Sequence, residues 1–93
     1  MNQPGDLFEL RMAASAECAL ARLPAKAAAA IVEFALGPLL DRPHRVGKPL
    51  GGEQAGRWSA RRGPYRLIYE IDDENKVVRV LHAAHRADVY RPR

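Results

Sequence analysis

Cysteine occurs once in these 93 residues, at position 18. No internal disulfide can form, so the chain is held by burial and hydrogen bonds, and the usage fits a reducing compartment, with the cytoplasm as the expected location. Cys18, near a helix start, reads as a small buried residue. Aromatics are few, with Phe 2, Tyr 3 and Trp 1, so a core must rest mainly on aliphatic side chains and alanine. The apolar run at 27–36 is far shorter than the ~20 residues that cross a bilayer, so no membrane span is expected. The opening MNQPGDLFEL has no charged stretch followed by an apolar run, hence no secretory signal. Basic residues are scarce in the first part of the chain and gather in the second. Residues 1–41 carry a balance of −2 and residues 42–93 one of +6, within a net charge of +4. Positive charge gathered in one half points to a phosphate-rich or acidic partner, against the plainer reading of a solvated basic face.

What is present reads as one domain, 1–93. Residues 6–12 alternate, with Phe8, Leu10 and Met12 on one side and Leu7, Glu9 and Arg11 on the other, as a half-buried strand does. Ser15 is expected to cap a first helix, whose Ala16, Ala19, Leu20 and Leu23 share a face. Pro24 suits the first turn of a second, since its missing N–H has no partner there. Ala27, Ile31 and Phe34 line that helix, and Gly37-Pro38 kinks or ends it. Residues 43–56, rich in proline and glycine, read as a loop carrying His44, Arg45 and Lys48. In the strand that follows, Trp58, Ala60 and Arg62 take one face and Arg57, Ser59 and Arg61 the other. Beyond Gly63-Pro64, Tyr65, Leu67, Tyr69 and Ile71 alternate with Arg66, Ile68 and Glu70. A polar turn at 72–76 leads to a last, β-branched strand at 77–83. Within it His82 is expected to point into the fold, and Trp58, Tyr65 and Tyr69 read as core. The fold class is α+β: a strand, a two-helix hairpin, then an antiparallel three-stranded meander.

The segments WSARRGPYRLIY at 58–69, HRADVY at 85–90 and RVGKPL at 45–50, in that order around a hairpin and after a strand–helix–helix opening, resemble the RelE/ParE toxin superfamily. The likeness is greatest to the RelE-type toxins of bacterial toxin–antitoxin pairs, and it covers essentially the whole chain. It implies a metal-independent endoribonuclease that enters the A site of the 30S ribosomal subunit and cuts mRNA there. The 2′-hydroxyl attacks the adjacent phosphodiester, and a RelB-like antitoxin keeps the toxin inactive.

That chemistry needs cations around a phosphate, a proton shuttle and a hold on the neighbouring base. Arginine suits the first, being permanently charged and able to bridge two phosphate oxygens. The resemblance puts Arg61, Arg66 and Arg86 at basic catalytic positions and His85 at a position of acid–base work. It puts Tyr90 where a tyrosine either stacks on a nucleobase, worth about 1–3 kcal/mol per base, or takes part in proton transfer. A phenol that ordinarily ionises at about 10 is a poor base, so orientation is expected. Lys48, Arg57, Arg62 and Arg79 are expected to contact RNA. Two departures stand out. Ser59 falls where several RelE toxins carry a lysine. Leu50 follows Lys48-Pro49 where another branch has a glutamate, and Glu53 lies too far along to replace it, so the general base is left open. The competing readings are a ParE-like inhibitor of DNA gyrase that cleaves nothing, and a degenerate toxin that only binds its antitoxin.

Overall fold

Between residues 14 and 34 apolar side chains recur at helical spacing, and from 58 onward they alternate at a spacing of two, so helices and sheet are segregated along the chain. The computed structural model describes residues 7–85. The elements run β1 (Glu9–Met12), α1 (Ala14–Ala21), α2 (Ala25–Phe34), α3 (Pro43–Val46), β2 (Gly47–Pro49), β3 (Trp58–Arg62), β4 (Tyr65–Asp72) and β5 (Val77–His85). The sheet order is β1-β5-β4-β3-β2, parallel only between β1 and β5. The α+β class and the β3–β4–β5 meander are as expected. The supposed loop at 43–56 is not structureless: it holds α3, the edge strand β2 and a single 3-10 turn at Gly52–Gln54. Three residues of Gly-Lys-Pro are too short and too weak in strand propensity to announce a strand, and an edge position tolerates the proline.

The core lies between the helices and one face of the sheet. Ala16, Ile31, Ala35 and Leu39 pack there with Leu67, Tyr69, Val78 and Val80. Several local expectations shift. Ala13 is the N-terminal cap of α1, and Ser15, one residue inside the helix, donates its hydroxyl to the Leu81 carbonyl (2.5 Å) instead of capping. Pro24 stands at the cap of α2, its carbonyl accepting from the Ala28 N–H at 2.9 Å. Gly37-Pro38 does not end the helix. The chain widens into a π-turn over Ala35–Leu39, which accommodates a proline that offers no N–H. Cys18 is exposed, because Ala16 and Ala19 take the inward face of α1.

The decisive departure is in β5. Tyr69 pairs with Val80 and Ile68 with His82, so Leu81 is left unmatched as a bulge. Strict alternation from Val78 and Val80 would carry His82 into the core and aim His85 outward. The extra residue reverses that beyond Leu81. His82 is exposed, while Ala83 is buried opposite Leu67 and His85 stands opposite Tyr65.

Tyr69, at 0 % exposure, ties the sheet to the segment that leads into β2: its hydroxyl donates to the Pro43 carbonyl at 2.6 Å. Tyr69→Phe keeps the ring but leaves that carbonyl unpaired, so denaturant melts should lose about 1–3 kcal/mol at neutral pH. Leu67→Ala, which empties a fully buried site, should lose about 2–5 kcal/mol in the same melts. Burial pushes the Tyr69 phenol up to about 12. A tyrosine in the unfolded chain ionises near 10, so as pH rises the unfolded state sheds its proton first. The associated stability is intact below about pH 10 and is lost on the way to about 12, at no more than about 1.4 kcal/mol per unit. The gap between wild type and Tyr69→Phe should therefore narrow above about pH 10; a gap that stays constant would contradict the assignment.

Candidate functional site

On the face of the sheet turned away from the helices, two neighbouring rungs carry the basic residues. Lys48 pairs with Ser59 across β2 and β3, and Arg61 pairs with Arg66 across β3 and β4. Ser59 and Arg61 are two apart on one strand, so all four side chains share that face. They line a groove of about 550 Å³ together with Arg45, Val46 and Leu50. Among the described residues, no acidic side chain lines it. The ion pairs found among the described residues, Arg11–Glu9, Arg42–Asp41, His44–Asp73 and Arg57–Glu70, leave Arg45, Lys48 and Arg61 uncommitted. A concavity bordered by four cations and no carboxylate is suited to a phosphate-bearing ligand.

The wall formed by Arg45 and Lys48 is fixed from beneath. Besides the Tyr69–Pro43 hydrogen bond, Gly47 lies so close to the Tyr69 hydroxyl and to the Ser59 carbonyl that a Cβ there would collide with both. His44 adds a third tie: its Nε2 sits 3.2 Å from an Asp73 carboxylate oxygen, and its ring meets Trp58 edge-on at 5.4 Å. His44 thus braces α3 against the β4–β5 turn and is more than an exposed loop residue.

The other expected site residues are distributed unevenly. Arg57, just before β3, contacts Glu70 at 3.9 Å and donates to the Gln54 side chain at 3.0 Å. Arg62 is exposed at the β3–β4 turn, where its position in the strand sets it on the side opposite Arg61. Arg79 pairs with Glu70 and Arg11 and lines a separate hollow of about 890 Å³ that also holds Glu9 and Asp72. His85 meets the Tyr65 ring edge-on at 5.4 Å, and the pairing puts it on the helix side of the sheet, not on the face of Arg66. Arg86 and Tyr90 lie outside the described residues. From the sequence Arg45 reads as a basic loop residue, not as a site residue. Its signal was its place three residues before Lys48 in a basic segment, but only the fold of that segment shows that the two face one groove.

The observations define a small basic α+β protein whose sheet presents a cation-lined groove. A family model described as the ParE toxin of type II toxin–antitoxin systems, parDE, matches residues 10–90. The chain is 52% identical over 84 residues to Toxin RelG of Mycobacterium tuberculosis, covering 90% of this chain and 97% of that protein. It is 50% identical to Toxin RelE of the same organism, covering 90% of this chain and 87% of that one. Among solved structures, a chain of the M. tuberculosis RelBE2 toxin–antitoxin complex superposes with a TM-score of 0.83 at 49% identity, covering 85% of this chain and 98% of that one. The isolated E. coli RelE toxin shares the fold, with a TM-score of 0.67 at 21% identity over 84% of this chain and 83% of its own. This chain belongs to the ParE toxin family of type II toxin–antitoxin systems, and within it to the toxins of the RelE type.

The groove generates a prediction of its own. A short single-stranded RNA, used as a polyanion probe in fluorescence anisotropy, should bind more weakly to Arg61→Ala and Lys48→Ala, each lowering the slope of log K against log salt by about one. Because Lys48 and Ser59 stand directly across from each other, Ser59→Lys should restore the slope in the Lys48→Ala background; no recovery would show that the two side chains do not share one anion site.

Proposed function

We propose that this toxin cuts mRNA in the ribosomal A site, the 2′-hydroxyl attacking the adjacent phosphodiester to leave a cyclic phosphate and a free 5′-hydroxyl. The observation that carries the reading is the groove in which Arg61, Arg66, Lys48 and Arg45 face one space, with no carboxylate among the described residues that line it. Negative charge builds on the phosphate as the 2′-oxygen adds, and cations already in place stabilise it without reorganising. Arg61 and Arg66 take the phosphate, and Arg86 joins them by its motif position. Tyr90 orients the base beside the cut. The family pattern gives His85 as proton carrier, but its place against Tyr65 on the helix side of the sheet does not favour that role. Arg57 and Arg62 contact ribosomal RNA outside the groove. Arg79, set among Glu9, Glu70 and Asp72, is the least suited of the set to a phosphate.

Relatives named RelE and RelG and a RelBE2 complex also support a RelB-like antitoxin as the partner. It would silence the toxin by covering the basic groove. The ParE description of the matching family is the observation behind a second reading, inhibition of DNA gyrase by binding without cleavage.

In a reconstituted translation reaction, primer extension should map cuts to the A-site codon only when ribosomes are present. Arg66→Ala should lower the rate by about 10²–10³-fold. A 2′-deoxy nucleotide at the cut should leave that bond intact, since it removes the nucleophile. Intact mRNA with undiminished translation would overturn the reading, and a supercoiling assay would then test the gyrase alternative.

A further inference from the structure

Cleavage by a 2′-hydroxyl needs a base for its proton, and imidazole is the side chain whose ordinary titration spans neutral pH. Of the two histidines in β5, the bulge at Leu81 sends His85 to the helix side and His82 to the groove side. His82 is exposed. It stands on a rung that reads His82, Ile68, Ser59, Lys48 across β5, β4, β3 and β2, and the adjoining rung reads Ala84, Arg66, Arg61. Its diagonal neighbours on β4, about 7–8 Å away, are Arg66 and Glu70. Glu70, the carboxylate nearby among the described residues, is engaged by Arg57 and paired with Arg79.

Resting on the nuclease reading, we infer that His82 is the general base of this toxin. The ribose lies over Ile68, between His82 and the cations. A neutral imidazole nitrogen of His82 takes the 2′-hydroxyl proton as the 2′-oxygen bonds to phosphorus. The bond from phosphorus to the 5′-oxygen breaks, the leaving oxygen takes a proton from water, and His82 returns its own proton to solvent. Arg66 holds the phosphate on the neighbouring rung.

Single-turnover cleavage on programmed ribosomes tests this with wild type, His82→Ala, His82→Gln, His85→Ala and Ala29→Lys, an exposed helix substitution that should not alter the rate. The thermal midpoint of each variant reports folding. His82→Ala and His82→Gln should cut about 10²–10⁴-fold more slowly at saturating toxin, with half-saturation unchanged. Added imidazole should restore part of the rate in His82→Ala and none in His85→Ala. A His82→Ala protein that cuts at the wild-type rate overturns the inference and leaves the nuclease reading standing. So does one whose loss is confined to half-saturation or does not respond to imidazole. A wild type that cuts nothing overturns both.

Discussion

The Leu81 carbonyl accepts the Ser15 hydroxyl at the point where β1 has ended and α1 begins. Up to Val80, β5 is paired on both sides, with β1 and β4. Beyond it, β5 loses its parallel neighbour, and one extra residue bows out of the ladder. That residue resets the alternation of the strand's last turn. Ala83 fills the core against Leu67, His82 joins the arginine face, and His85 joins Tyr65. Core packing and the composition of the functional face are therefore coupled through a single bulge, stabilised by one side-chain hydrogen bond from a helix.

A second constraint acts from below the groove. The segment 43–49 is one four-residue helix and one three-residue edge strand, each too short to hold itself in place, yet it supplies two of the four groove cations. Its position comes from contacts beneath and beside the groove: the buried Tyr69 hydroxyl, the close approach at Gly47, and His44 held against Asp73 and Trp58. Rigid support beneath a charged edge suits electrostatic work. Cations fixed before the ligand arrives spend little of the binding free energy on being ordered.

Charge on the open face is also sorted. Among the described residues the groove over β2, β3 and the start of β4 is lined by cations without carboxylates, whereas the hollow near β1 and the far end of β4 mixes Arg11 and Arg79 with Glu9, Glu70 and Asp72. A polyanion is drawn to the first and gains little at the second. Membership of the ParE toxin family and of the RelE type is carried by most of the chain, but a fold does not by itself fix what it acts on. The distribution of charge around the groove is what favours a phosphate-centred site.

Much could be read from residue order alone. The α+β class, the meander, the inward faces of α1, α2 and β4, the opposition of Arg61 and Ser59 to Ala60, and the likeness to RelE toxins all follow from patterns spanning a few residues. These are local regularities, and each side chain reports its own face. What the order of residues left undecided depends on partners distant in the chain. That Lys48 lies across from Ser59 depends on a three-residue edge strand that exists only because β3 is there to pair with it. That Arg45 joins the groove depends on Tyr69, 24 positions further along. Which histidine faces the arginines depends on one unpaired residue whose carbonyl is met by Ser15, 66 positions away. Alternation is inherited from neighbour to neighbour along a strand, so one tertiary contact that inserts a residue into the count reverses every assignment after it.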